Sequence, residues 1–425
     1  VCGLVCFHPC ETRCRRGQLD EAIAIRELKR YAAEHGGNLW KKRAVTAPAT
    51  GKKVAVVGSG PAGLTAAYYL AKLGHSLTVF ESQSEPGGML RMAIPEYRLP
   101  RDVLEAEIKY IEDLGVEINT NTEIHYVESL FQQGYEAVFV AIGAQHDVKM
   151  GIDGEESHKF IDRLAFLRDV NMGREVSLGG RVAVIGGGHA AIDVARTARR
   201  LGCKEVTIIY RRTRNDMPAG SEEIEEALAE GIKILELTMP LKVVHENGDL
   251  RIECIRMKPG PIDSSGRRKP EPLTGSEFTL VSDNVIASIG QRLMVSDQFD
   301  LPMGRGDFIK VNRDTLATPK KGVFAGGDAV TGPASVIEAI SHGRQAAISI
   351  DKYLGGNGII DEALSLLEGE FTPLEEAEEK RRPQAPTLPL KQRLRGFGQV
   401  ELGYNEGMAV EEAGRCLRCD LEEDN

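Results

Sequence analysis

Residues 52–90 read KKVAVVGSGPAGLTAAYYLAKLGHSLTVFESQSEPGGML. Val54 to Val57 are an apolar run of the kind that makes a buried parallel strand. The run leads into Gly58-Ser-Gly60-Pro-Ala-Gly63, and the periodicity predicts a helix over 61–73, opened by Pro61 and Ala62. A second strand over 77–80 ends in Glu81. Gly58 permits a tight turn, Gly60 lets the backbone approach a diphosphate, and Gly63 lets the helix sit close to the strand. The free N–H groups and positive dipole end of the helix favour phosphate there. Glu81, 23 residues after Gly58, is spaced to accept from a ribose 2′-hydroxyl. A glycine turn without a ligand is the bland alternative. The flanking strands, the helix and the acid together favour a dinucleotide site.

The pattern recurs from Gly180. VAVIGGGHAA repeats VAVVGSGPAG, with Gly186 and Gly188 as its first two glycines and Ala191 in place of the third. His189 and Ala190 open the helix. The second strand ends in Tyr210, Arg211 and Arg212 rather than in an acid. Guanidinium forks match a 2′-phosphate. Two different dinucleotides are therefore expected, FAD in the first unit and NADP(H) in the second. If the arginines only serve surface ion pairs, the second is NAD(H). Further on, VIASIGQ (285–291) and GVFAGGDAV (322–330) each read as a buried strand closed by glycine. Gly327 and Asp328 stand at the end of the latter, and an acid there can hold a flavin ribityl hydroxyl. The plain reading of Asp328 is a turn or cap residue. Pro95 and Pro100 bracket residues 96–99 in a loop, and a helix is expected over 102–114.

Of the eight cysteines, six lie at the two ends: Cys2, Cys6, Cys10 and Cys14, then Cys416 and Cys419. Thiols this dense suit an iron–sulfur cluster or zinc. A dinucleotide redox partner favours iron–sulfur. Cys203 and Cys254 stand alone in α/β segments and read as core residues. Residues 20–34 read as an amphipathic helix with Ile25, Leu28 and Ala32 on one side, and residues 36–50 as a linker. A hairpin is expected at 246–249, and a tail from Gly355, acidic and then proline-rich, is expected to run over the surface. At 425 residues, with 42% hydrophobic and 27% charged residues, the chain reads as two to three globular domains. A net charge of −10 argues against nucleic acid, and no apolar run reaches the ~18 residues that would span a bilayer. A cytoplasmic setting is expected.

The stretches CGLVCFHPCETRC, EPGGMLRMAIPEYRLPRDVL, VAVIGGGHAAIDVARTARRLGCKEVTIIYRR and GVFAGGDAVTGPASVIEAISHGRQAA resemble the small-subunit family of glutamate synthase. That family shares its architecture with the flavin and NADPH half of dihydropyrimidine dehydrogenase and with electron-bifurcating transhydrogenase subunits. The resemblance covers nearly the whole chain. It implies an α/β protein with two Rossmann-like dinucleotide-binding domains after a small helical iron–sulfur region. The expected boundaries are 1–50 for the cysteine-rich region, 51–165 with 301–356 for the FAD domain, 166–300 for the NAD(P)H domain, and 357–425 for the tail.

For FAD the resemblance implies Gly58, Gly60, Pro61, Ala62, Gly63, Glu81, Gly88, Met89, Leu90 and Arg98, with Gly327 and Asp328 at the ribityl chain. For NADP(H) it implies Gly186, Gly188, His189, Ala190, Arg211 and Arg212, with Ser288, Ile289 and Gly290 near the nicotinamide. For a [4Fe-4S] cluster it implies Cys6, Cys10 and Cys14. Cys2 matches a cysteine that need not be a ligand, and Cys416 and Cys419 are candidates to complete the set. The family pattern departs in two places. Its upstream C-x2-C-x4-C group lies ahead of where this sequence starts. Lys29 stands where a glutamine or glutamate ligand is expected, and an ammonium cannot ligate. One cluster held mainly by this chain is therefore expected, with a second absent or shared. The implied activity is electron passage between NAD(P)H and iron–sulfur centres through FAD, beside iron–sulfur or ferredoxin-like partner subunits. Glutamate synthase small subunit proper, a non-catalytic FAD scaffold, a thioredoxin-reductase-like enzyme and a zinc site are the alternatives.

Overall fold

The computed structural model describes residues 1–37, 46–246, 249–263, 266–295, 297–360 and 370–422. Its first sheet runs Val323–Ala325, Ala137–Val140, Lys53–Val57, Ser76–Phe80, Glu117–Asn119, with every neighbouring pair parallel. Helices Pro61–Lys72 and Val336–Tyr353 cover one face, burying Val54, Val56, Leu70, Phe139, Ala346 and Ile350. They lie close because Gly343 faces the Ala62 carbonyl, which a Cβ there would meet at 2.3 Å. Residues around Phe299, Leu301 and Ile309 cover the other face against Val57 and Val140.

The second sheet runs Phe160–Asp162, Asn284–Ala287, Arg181–Ile185, Glu205–Ile209, Lys233–Leu235, again parallel throughout. Helix His189–Arg200 packs on one face, with Ala191, Val194, Ala195 and Ala198 in the core. An antiparallel sheet of Thr238–Glu246, Asp249–Ile262, Arg268–Pro272 and Phe278–Ser282 covers the other through Leu250, Ile252 and Cys254. The strands flanking the expected hairpin pair as a ladder, while residues 247–248 themselves lie outside the described residues. The chain crosses between the two sheet systems twice, and the passages pair antiparallel as His146–Asp147 with Gln291–Arg292.

Two expectations change at the ends. The helix expected over 20–34 is Ile25–His35, and Ala32 is exposed while Glu27 and Arg30 are buried. Asp20 is held outside the helix by Arg16 and Arg415. The charges face the tail: half-buried Arg26 pairs with Glu401 at 2.8 Å and buried Arg30 donates to the Glu401 carbonyl. The tail beyond residue 370 therefore does not simply run over the surface. Glu412 is fully buried, bonded to Arg415 and to the Ala24 N–H. Of the expected linker, residues 38–45 lie outside the described residues, as do 361–369 of the acidic stretch. Cys203 and Cys254 are core residues, as their isolation suggested.

Candidate functional site

Both dinucleotide turns close in the same way. Gly58 has φ +102°, and a Cβ there would lie 2.5 Å from the Ala141 carbonyl oxygen. Gly186 has φ +141° and would meet the Ser288 oxygen at 2.2 Å. Each first glycine is thus pressed against the next strand's exit. Among the described residues nothing lies within 4 Å of Gly60 or Gly188 on that side, so the backbone there is open to a ligand. Gly63 is closed, since its Cβ would sit 2.0 Å from the Gly58 oxygen.

A cavity of about 580 Å³ lies where the two units meet. Gly58, Gly60, Pro61, Ala62, Glu81, Gly88, Met89, Arg98, Gly327 and Asp328 line it from the first unit, and His189 and Ala190 from the second. Cys6 also lines it. Gly63 and Leu90 do not; Leu90 is buried with Leu4, Leu64 and Leu99. Gly186, Gly188, Arg211, Arg212, Ser288, Ile289 and Gly290 also lie off its wall.

Glu81 Oε2 accepts from the Ser59 N–H at 3.0 Å and from its hydroxyl at 2.5 Å, while Oε1 accepts from the Gln83 N–H. In the second unit Tyr210 occupies the corresponding place, its ring against Gly187 and its hydroxyl on the Asp216 carbonyl. Arg211 is exposed and makes no ion pair among the described residues. Arg212 is buried and committed to Asp263 and the Arg268 carbonyl. The expected two-arginine fork is therefore divided. Asp328 accepts from the Ala334 N–H at 3.3 Å. Burial pushes its pKa up to about 6 against that hydrogen bond, and the Glu338 charge adds to the rise.

Four cavity residues were not among the expected site residues. Glu27 is buried, and among the described residues its Oε2 has no hydrogen-bond partner. Asp193 and Glu223 both bind Arg98, at 2.7 Å each. Tyr97 donates to Asp193 at 3.2 Å. Burial raises the Glu223 pKa, but hydrogen bonding to His189 and the Arg98 charge outweigh it and bring it to about 2. The tail contributes Arg382, Pro383, Gln399, Val400 and Tyr404 to the wall.

The open Gly60 cradle and the orphaned Glu27 oxygen suit a hydroxyl-bearing dinucleotide such as FAD. The cysteines are different. Among the described residues no three His, Cys, Asp or Glu side chains are grouped to hold a metal ion. Cys419 lies within electrostatic reach of Cys416 and Cys14, and Cys2 within reach of Cys6. Lys29 is exposed. No helix among the described residues is long and apolar enough to cross a membrane.

Residues 52–343 match the pyridine nucleotide-disulphide oxidoreductase family. The chain is 43% identical to the beta subunit of NADP(+)-dependent formate dehydrogenase from Moorella thermoacetica, over 99% of this chain and 65% of that one. It is 34% identical to the glutamate synthase [NADPH] small chain of Halomonas elongata, over 83% of this chain and 79% of that one. Mycobacterium tuberculosis FprA, solved with NADPH, shares the fold with a TM-score of 0.63 at 20% identity, over 73% of this chain and 85% of that one. The chain thus belongs to the pyridine nucleotide-disulphide oxidoreductase family, on its glutamate synthase small-chain-like side, and is a flavin-type NAD(P)H oxidoreductase.

Proposed function

We propose that this chain is the subunit of a larger cytoplasmic redox complex that exchanges electrons between NADPH and partner iron–sulfur or ferredoxin-like subunits through bound FAD. The observation carrying this reading is that one cavity is lined by the open glycine turn of the first unit and by the helix start of the second. When bound, FAD supplies a two-electron centre that exchanges a hydride with a nicotinamide and returns electrons singly.

The chain's own residues bind and orient. The backbone at Gly60 takes the flavin nucleotide's diphosphate, aided by the start of helix Pro61–Lys72. Glu81 accepts from its ribose, and Asp328, with Gly327, from the ribityl chain. Gly88 and Met89, which line the cavity, would hold the flavin. Gly188, His189 and Ala190 take the second dinucleotide's diphosphate, with Ser288, Ile289 and Gly290 toward its nicotinamide. Exposed Arg211 is the donor for a 2′-phosphate, which supports NADPH over NADH. No side chain is assigned a proton transfer.

The set Cys2, Cys6, Cys10, Cys14, Cys416 and Cys419 is proposed to hold a [4Fe-4S] cluster, on the strength of the family resemblance of the cysteine run. Since these thiols are not grouped among the described residues, no electron step is assigned to a cluster. Iron analysis with low-temperature EPR tests it, and stoichiometric zinc in its place would refute it. Anaerobic titration of the FAD-loaded chain tests the main reading. NADPH should bleach the flavin absorbance, with NADH weaker. An unchanged spectrum with both nucleotides would refute it and leave a scaffold.

A further inference from the structure

Arg98 sits in the proline-bracketed loop of the first unit, yet its guanidinium is spent on the second. It pairs with Asp193 Oδ2 at 2.7 Å and Glu223 Oε1 at 2.7 Å. Asp193 lies on helix His189–Arg200 and Glu223 on helix Ser221–Ala229. Tyr97, almost wholly buried, donates to the other Asp193 oxygen. The cations of Arg196 and Arg200 lie 4.9 and 3.9 Å from the centre of its ring. The loop is gripped from two further directions. Asn171 donates to the Met92 and Ile94 carbonyls, and Val400 of the tail donates to the Tyr97 carbonyl.

Arg98 and Glu223 are half-buried and Asp193 is buried. Charge-assisted bonds to a buried carboxylate are strong and directional, and removing Arg98 would strand Asp193. A guanidinium fork divided between two carboxylates also fixes their relative position, which a lysine point charge does less well. All four side chains line the cavity between the units.

We propose that Tyr97 and Arg98 form a latch that sets the start of helix His189–Arg200 against the flavin cavity, making Arg98 a positioning residue for hydride transfer. The latch rests on the proposed two-nucleotide reading of the cavity. A nucleotide seated at His189 and Ala190 inherits the register of that helix. Small errors in that register carry large rate costs, because reacting atoms must meet within a narrow range.

The test uses the full FAD-loaded chain and compares Arg98→Met, Arg98→Lys and Asp193→Asn with wild type. Anaerobic stopped-flow mixing with saturating NADPH reads flavin reduction. Arg98→Met and Asp193→Asn should keep their FAD and lose roughly tenfold or more in reduction rate. Their KM for NADPH should move far less, and Arg98→Lys should recover part of the rate. Hydrogen exchange across helix His189–Arg200, measured without nucleotide, should quicken in Arg98→Met. Wild-type reduction rates with unchanged exchange would overturn the latch. So would loss of FAD from Arg98→Met alongside an unaffected Asp193→Asn, which would make Arg98 a flavin ligand. Should NADPH fail to reduce the wild type, the functional reading falls, while the exchange measurement still decides the latch.

Discussion

His189 and Glu223 are the clearest pH-dependent pair at the scale of single residues. Their hydrogen bond raises the His189 pKa above its ordinary 6.5, burial opposes the rise, and the Glu223 charge adds to it. A histidine whose pKa is higher folded than unfolded stabilises the fold fully below the ordinary value. That contribution disappears as pH climbs through the raised value. Denaturant melts across neutral pH should show wild type more stable than His189→Gln at the acid end, with the gap closing toward alkaline pH. A gap that stays constant would exclude the pair as its source. Glu223, held at about 2, stays ionised over that whole range and does not confuse the sign. Residue-scale sequence reading was uneven. Glu81 lay at its motif position, and Asp328 at its strand end. Arg212 looked equivalent to Arg211 in sequence. It is not, because Asp263 and the Arg268 carbonyl, far along the chain, claim its side chain.

The strand–turn–helix element shows why the glycine spacing was readable. Its constraints are local: the turn, the helix start and the strand lie within one short stretch, and Gly63 packs on Gly58 five residues earlier. Gly63→Ala would drive a methyl to 2.0 Å from the Gly58 oxygen, which is backbone and cannot swing aside. The turn must shift, and overpacking of this kind costs about 1–3 kcal/mol. Thermal melts of the apo chain should register that loss, and fluorescence titration with FAD should show weakened binding, since Gly60 moves with the turn. A variant with wild-type melting and FAD affinity would contradict the packing argument. Ala191, at the matching place in the second unit, is fully buried. The N-terminal helix was read less well. Its apolar stripe placed Ile25, Leu28 and Ala32 on one side. Leu28 does pack against Ala24, Tyr404 and Ala409, but Ala32 is exposed and Glu27 and Arg30 are buried, with Arg30 donating to the Glu401 carbonyl of the tail.

On the scale of the whole molecule, the two chain ends are stitched together beside the cavity. Arg415 binds Glu412 through both carboxylate oxygens and also reaches Asp20 and the Glu21 carbonyl. Arg415→Ala would leave the fully buried Glu412 charge unpaired, at about 3–5 kcal/mol. Tail residues wall the cavity, so FAD retention should fall along with urea stability. Replacing both partners, as Arg415→Leu with Glu412→Leu, should cost markedly less, since no stranded charge remains. Equal losses in the single and double variants would show that the charge is not what matters.

The sequence by itself determined the two parallel-sheet units, their open glycines and the acid of the first, because these depend on contacts a few residues apart. The terminal thiols were equally visible as a group. Only the tertiary structure decided how the units face each other. Arg98 meets Asp193 across 95 positions of chain, and Glu223 enters the cavity from a helix whose sequence marks it as an ordinary acidic surface. The tail's place against the N-terminal region was hidden for the same reason. Ion pairs between distant segments leave no periodicity to read, and their partners are chosen by how the two sheets dock.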